Sequence, residues 1–531
     1  MNRNVEQWQV YKKAVQSKRG VVGSQHWQAA QAGAGILAEG GNAVDAAVAA
    51  ALALNAVEPW MCGLGGSGFM VIWLAESDTA HVVNFQGTLA QGIDLADYPL
   101  DPSVPGSIMG FPGVVDNRNV DGYGAITVPG AVAGLSEAQA RFGRLSFDTA
   151  LKPAIDLAER GLPVDWHGTL QIALEAANLL KDPEAAKTYL PGGAPLGPEQ
   201  YRVLGKLPET LRRLAEHGPR DFYEGELAER MVGDLQAGGS RIAMEDLAAY
   251  RVEVHEPLSG MHRGATIHTA GETSGGVRML EALAHVEEAL DVSQGIGAHT
   301  YLTYADALNK AFATHKRKLG ATGSIGCTSH LSTLDADGNM VALTHTLLSR
   351  FGAKVMLPST GMLMNNSVSY FDPRPGFPTT MEGGKRINSS NMCPAVAVRD
   401  GKPLFAVGAS GANHIVPGTM QVAALMLDYG VSLEEAFNTP RIDASDRGSI
   451  GVDPVVGPEI LAALEEKHEL ELAQMLVFPK LYSCPSGVMH DAATGLNYGI
   501  SDKSAPVAGA AGEAPFVLDF DGTEGGAGPR A

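Results

Sequence analysis

Residues 328–340 read TSHLSTLDADGNM, and this stretch decides the fold. Thr328 opens an alternating run in which Leu331 and Thr333 stand against Ser332 and Leu334. Asp337-Gly338-Asn339 supplies a turn, and Val341, Ala342, Leu343 and Thr344 form a second extended run. Asp-Gly between two such runs predicts a β-hairpin, because these residues tolerate the positive φ a tight turn needs. A threonine inside a chain is a poor nucleophile, since no base is attached to its hydroxyl. Cleavage between Cys327 and Thr328 would change that. The new α-amino group, with a pKa near ~8, would sit beside the hydroxyl and serve as its general base.

The bulk composition narrows the function class. At 531 residues, 45% hydrophobic and 18% charged, the chain has ample material for a large buried core. Its net charge of -20 argues against non-specific nucleic-acid binding, which needs a basic footprint. Cys62, Cys327, Cys393 and Cys484 are far apart and show no metal-ligand spacing, so they read as reduced thiols. The first twenty residues lack an apolar core segment, which predicts no signal peptide and a cytoplasmic protein. The longest apolar run, Ala46 to Val57, is too short to span a bilayer.

Working outward from the hairpin, residues 34–56 predict a helix broken at Gly40-Gly41 and apolar nearly all round beyond Asn42, hence buried. Phe69 to Leu74 reads as a buried strand, with His81 to Phe85 as its hairpin partner. Helical patterns dominate from Val132 to Leu235, and Gly/Pro-rich stretches at 101–114 and 190–198 predict exposed loops. After Thr328 come two further hairpins, 395–407 and 487–500, separated by helices at 417–429 and 456–467. The Gly/Ala-rich acidic tail from Ala505 predicts a flexible end. Such blocks of strands and helices suit antiparallel sheets covered by helices.

Several motifs dissolve on inspection. Gly63-Leu64-Gly65-Gly66-Ser67-Gly68 matches GxGxxG, but the helix precedes it and the strand follows, the reverse of a dinucleotide loop. Close backbone approach explains those glycines better. Gly408-Ala409-Ser410-Gly411-Ala412 ends a strand without the last glycine of a nucleophile elbow; it reads instead as a turn presenting N–H groups. His255, Glu256 and His262 have the wrong spacing for zinc, and Pro257 breaks the helix. His330 and His345 read as structural.

The chain resembles the γ-glutamyltranspeptidase family of N-terminal-nucleophile hydrolases, whose precursors cleave themselves into a large and a small subunit. The resemblance runs through most of residues 20–505. It is carried by Gly40-Gly41-Asn42-Ala43-Val44-Asp45, Val57-Glu58-Pro59, Gly63 to Phe69, Val128-Pro129-Gly130, Phe222-Tyr223-Glu224-Gly225, Glu245 to Tyr250, Ser274-Gly275-Gly276 and Thr328 to Ser332 with Asp335. It implies an α+β fold, a four-layer αββα sandwich of two stacked antiparallel sheets flanked by helices. It further implies a large subunit of residues 1–327 and a small subunit of residues 328–531 in one intertwined unit, open to forming a dimer of such heterodimers. Metal and organic cofactors are not expected. By position, Thr328 becomes the nucleophile, Thr346 the second threonine that tunes it, and Gly411 and Ala412 the oxyanion-hole donors.

The departures from the family pattern are as informative. The family grips the glutamyl α-carboxylate with an arginine after Asn-Phe; here that residue is Gln86. The small subunit's ammonium-binding positions after Asn365-Asn366 read Ser367 and Tyr370. The asparagine after the second threonine is replaced by Leu348, and the paired serines survive as Ser390 with Asn391. Arg350 is a candidate for binding a substrate carboxylate from a new direction. The expectation is therefore a small-molecule amide substrate that is not an ordinary γ-glutamyl compound. Two alternatives stand beside it: a true γ-glutamyl hydrolase or transpeptidase with a remodelled clamp, and a non-catalytic relative acting as a binding protein.

Overall fold

In the computed structural model, residues 10–107, 109–319, 327–445 and 448–518 are described. The first nine residues and the tail beyond 518, with the expectations made for them, lie outside the described residues, as does the side chain of Cys327. The hairpin holds: Cys327–Leu334 pairs antiparallel with Met340–Leu348, and Gly338 takes the turn with φ +89°. Ser67–Leu74 adds to the second strand and Thr79–Phe85 follows it. The complete sheet runs Gly509–Gly512, Val21–Ser24, Cys327–Leu334, Met340–Leu348, Ser67–Leu74, Thr79–Phe85 and Glu253–His255. The other seven-stranded sheet runs Val15–Ser17, Leu496–Ser501, Cys484–Asp491, Lys402–Ser410, Ala395–Arg399, Ala265–Thr269 and Leu258–His262. Every pairing in both sheets is antiparallel.

Strand alternation sorts the side chains into three layers of core. Phe69, Val71, Trp73, Met340, Ala342, Val396, Ala406 and Val488 meet between the sheets. The alternate residues Met70, Ile72, Val341 and Leu343 face outward onto a helical layer that includes Trp27–Ala38, Ala43–Val57 and Phe147–Arg160. On the far side, Ala395, Ala397, Phe405 and Val407 face helices Gly276–Ala289, Ala298–Leu319 and Ile415–Tyr429. Covered on both faces, strand Ser67–Leu74 is apolar from Phe69 onward, which explains the unbroken run Phe69–Leu74. The result is the αββα sandwich of an N-terminal-nucleophile hydrolase.

The chain between Gly40 and Asn42 separates the first two helices as expected, with Asn42 capping the second through a capping box with Asp45. Helix Ala43–Val57 is buried along its whole length. Two expectations are corrected. The stretch 101–114 is not simply an exposed loop: Met109, Phe111 and Val114 are buried in a cluster with Leu348 and Tyr370, so hydrophobic burial overrides its Gly/Pro content. The tail is not free from Ala505 on, because Gly509–Gly512 pairs with Val21–Ser24 and closes that sheet edge. Small residues suit this position, since the strand packs on helix Trp27–Ala38.

Candidate active site

Four neighbouring strands line up a row of polar side chains on the inter-sheet face. Thr328 and Thr346 come from the hairpin, Ser67 pairs with Thr346, and Gln86 extends the strand beside Ser67. Thr328, nearly fully buried, donates from Oγ1 to Thr346 Oγ1 at 3.4 Å, long for a hydroxyl pair. Leu348 N donates to the same Thr346 oxygen at 2.7 Å. This fixes the Thr346 rotamer, and Leu348 adopts φ +83° to reach it. The ladder shifts register between Cys327 and Ser329, so a bulge re-aims Thr328 at the strand end.

The end of the facing sheet closes the site. His330, two residues after Thr328, packs against the backbone of Gly408, two residues before Ser410. Gln25 bridges the two sheets at this end: its Nε2 donates to Ser410 Oγ at 2.7 Å and to Cys484 O at 2.8 Å. The chain then turns through Gly411 at φ +122° and Ala412 at φ +52°. Glycine suits the first value; alanine in the second costs about 1 kcal/mol, the kind of strain that functional turns carry. Gly66 fits the close-approach reading made for the glycine-rich stretch, since a Cβ there would lie 2.5 Å from Thr346 O. His330 and His345 serve structure as expected. Burial pulls them down to about 3 and about 4, and both are hydrogen-bonded, His330 to Thr344 and Ser332, His345 to the Gly63 carbonyl.

The recognition positions form a connected wall. Gln86 is buried; its Oε1 accepts from Ser67 Oγ at 3.4 Å and its Nε2 lies 3.9 Å from Met392 Sδ. Met392 N donates to Ser390 Oγ at 3.1 Å, and Tyr370 hydrogen-bonds the same serine. Burial pushes the Tyr370 phenol up to about 12. Ser367 Oγ is buried with no hydrogen-bond partner among the described residues. Tyr370, Leu348, Val368 and Phe371 then merge with Leu89, Met109 and Phe111 into one apolar cluster. Two of the altered positions, Leu348 and Tyr370, thus lie together in apolar surroundings.

Arg350 reaches helix Trp166–Leu179. Its Nε donates to Gln171 Oε1 at 2.6 Å and its Nη1 to Glu175 Oε1 at 3.3 Å, both on helix Trp166–Leu179. Sequence reasoning also passed over Glu58, Ser67, Arg278 and Asn413. Asn391 Nδ2 donates to Asn413 Oδ1 at 2.5 Å, and Asn413 directly follows Ala412. Arg278 Nη2 donates to Asn391 Oδ1 at 2.7 Å and Ser390 O at 3.0 Å. No carboxylate pairs with Arg278 among the described residues, and burial pulls it down to about 10. Glu58 and Arg278 were visible in the sequence, one inside Val57-Glu58-Pro59 and the other just after Ser274-Gly275-Gly276. Only their burial distinguishes them from surface charges. No group of three or more potential metal ligands gathers among the described residues.

The sequence model of the gamma-glutamyltranspeptidase family matches residues 29–325 and 314–509. The chain belongs to this family. It is an amide-bond hydrolase of the N-terminal-nucleophile type, a zymogen that cleaves itself to release a threonine nucleophile. Among its relatives is the acylase ACY 1 proenzyme of Pseudomonas sp. (strain V22), 35% identical over 85% of this chain and 87% of that protein. The glutathione hydrolase proenzyme of Escherichia coli (strain K12) is 30% identical over 86% of each chain. Among solved structures, a cephalosporin acylase from Bacillus halodurans superposes with a TM-score of 0.82 at 25% identity, covering 96% of this chain and 98% of that one. No helix among the described residues is long and apolar enough to cross a membrane.

Proposed function

We propose that this family member cleaves itself before Thr328 and hydrolyses an acyl amide that lacks the α-amino-acid head of a γ-glutamyl compound. Residues 1–327 would form the large subunit and 328–531 the small one. The freed amine of Thr328 takes the proton from its own hydroxyl, and Oγ1 attacks the amide carbonyl. The backbone N–H groups of Gly411 and Ala412 stabilise the tetrahedral oxyanion. Collapse expels the amine, protonated by the Thr328 ammonium, and water then hydrolyses the acyl ester. Thr346 holds Thr328 Oγ1 in line.

One observation carries the substrate reading: Leu348 and Tyr370 belong to an apolar cluster, Ser367 is an uncharged buried hydroxyl beside it in sequence, and Gln86 replaces the arginine. A glutamyl head would lose several charge-assisted contacts, each worth about 1.5–3 kcal/mol. Losing two lowers affinity roughly a hundredfold or more. The acylase names among the relatives point the same way. A second reading, a glutathione hydrolase with a rebuilt clamp, draws support from the family's own description and from several glutathione hydrolases of 28–30% identity. Processed enzyme offered γ-glutamyl p-nitroanilide and an aryl-acyl p-nitroanilide separates the two. Our proposal expects kcat/KM at least tenfold higher for the acyl anilide; preference for the γ-glutamyl compound favours the second reading.

A further inference from the structure

Glu58 caps the C-terminal end of the buried helix Ala43–Val57 and is itself 2% exposed. Its Oε2 accepts a 2.5 Å hydrogen bond from Ser329 Oγ, shorter than an ordinary hydroxyl–carboxyl contact. Ser329 directly follows Thr328 and lies on the far side of the bulge that re-aims it. The loop that begins at Glu58 grips the other catalytic strand as well. Leu347 N donates to Met61 O at 3.0 Å, Phe351 N to Trp60 O at 2.8 Å, and His345 Nε2 hydrogen-bonds Gly63 O at 2.9 Å. One loop therefore sets the spacing between Thr328 and Thr346 from behind the sheet. On the Thr328 side, its side-chain contact is Glu58 with Ser329.

We propose that Glu58 is the positioning residue of the self-cleavage step, holding Ser329 so that the bulge presents Thr328 Oγ1 to the carbonyl of residue 327. In that step Oγ1 attacks the carbonyl carbon, the C–N bond breaks as the C–O bond forms, and the hydroxyl proton ends on the freed Thr328 amine. Water then hydrolyses the ester, leaving a carboxyl on residue 327 and restoring the hydroxyl. Before the bond breaks, no free amine exists to help, so alignment of Oγ1 carries more of the barrier than it does in later turnover. A one-ångström error in such an alignment can cost about a hundredfold. Glu58 acts through a hydrogen bond rather than through charge. Burial pushes it up to about 8 against the pull of the Ser329 hydroxyl and the Lys480 ammonium, and Cys62 is a further titratable neighbour among the described residues.

The inference rests on Thr328 being the nucleophile, and the test separates the two. The full chain, made by cell-free translation, is followed on denaturing gels for the first-order rate of appearance of the two fragments. Glu58→Ala is expected to slow cleavage at least tenfold, Ser329→Ala to slow it similarly, and Glu58→Gln, which keeps the hydrogen bond without charge, to stay within threefold of wild type. Rescue by glutamine is the readout that a general loss of packing would not give. Wild-type cleavage in Glu58→Ala, or a Glu58→Gln as slow as the alanine variant, overturns the proposal. Where circular dichroism shows Glu58→Ala unfolded, Ser329→Ala decides: slow cleavage in the folded chain supports the proposal and a wild-type rate overturns it. Thr328→Ala runs alongside, and fragments appearing in that variant refute the nucleophile itself rather than Glu58.

Discussion

Replacing Arg278 with methionine separates stability from catalysis in this site. The guanidinium is buried without a carboxylate, and burial drags it from 12.5 to about 10, so removing its charge relieves about 3 kcal/mol. Against that, Ser390 O and Asn391 Oδ1 lose the Nη2 donor they share. Each acceptor left unpaired costs about 1–3 kcal/mol. Methionine still fills the space beside Phe312, whose ring centre lies 5.1 Å from the guanidinium carbon. The two terms nearly cancel, so Arg278→Met should unfold within about 2 kcal/mol of wild type in urea. Activity should not survive so well. Asn391 loses the donor that fixes which way its amide points, and with it the orientation of its bond to Asn413 beside the Ala412 turn. Weakening that hold by about 1.4 kcal/mol lowers kcat about tenfold. The assay is a double-mutant cycle with Asn391→Ala on whichever anilide the enzyme turns over. If Arg278 works through Asn391, the double variant loses no more than Asn391→Ala alone. Losses that add within about 0.5 kcal/mol, or a wild-type kcat in Arg278→Met, would refute the reasoning.

Two other perturbations follow from the same geometry. Glu58 has its folded pKa raised from 4.5 to about 8, so the folded state keeps a proton that the unfolded chain releases. Its contribution to stability is full below pH 4.5 and is lost as pH rises toward 8, a span of about 5 kcal/mol; urea titrations should show Glu58→Gln lacking that part of the slope, and an unchanged slope would contradict it. Gln86→Arg returns a guanidinium to the polar row beside Ser67 and Thr346; it should raise kcat/KM for γ-glutamyl p-nitroanilide about tenfold while lowering stability by burying a charge, and no gain in kcat/KM would show that Gln86 does not face the substrate.

Local pattern carried the hairpins because turn chemistry is local. Asp337-Gly338 and Asp400-Gly401 forced positive φ at fixed positions, and the strands beside them followed by alternation. The whole sandwich was legible only through the family resemblance, since periodicity does not say which strands are neighbours. Gly509–Gly512 was missed because four small residues carry no strand signal; the pairing comes from the edge that Val21–Ser24 leaves open. Met109, Phe111 and Val114 were hidden by the glycines and prolines around them. The partners of Arg350 were hidden for another reason: nearness in sequence to Thr346 says nothing of Gln171 and Glu175, which are almost two hundred positions away and hydrogen-bond its guanidinium. Glu58 and Arg278 could not be told from surface charges until their burial was known.

Thr328 becomes a chain terminus through chemistry of its own. N-terminal sequencing and mass analysis of the purified protein, with Thr328→Ala in parallel, test it most directly. Two polypeptides of about 34 and 21 kDa are expected from the 55.5 kDa chain, the smaller beginning Thr-Ser-His-Leu, and a single uncleaved chain in Thr328→Ala. A smaller fragment that begins elsewhere, a wild-type chain that stays whole in active enzyme, or cleavage that persists in Thr328→Ala would contradict it.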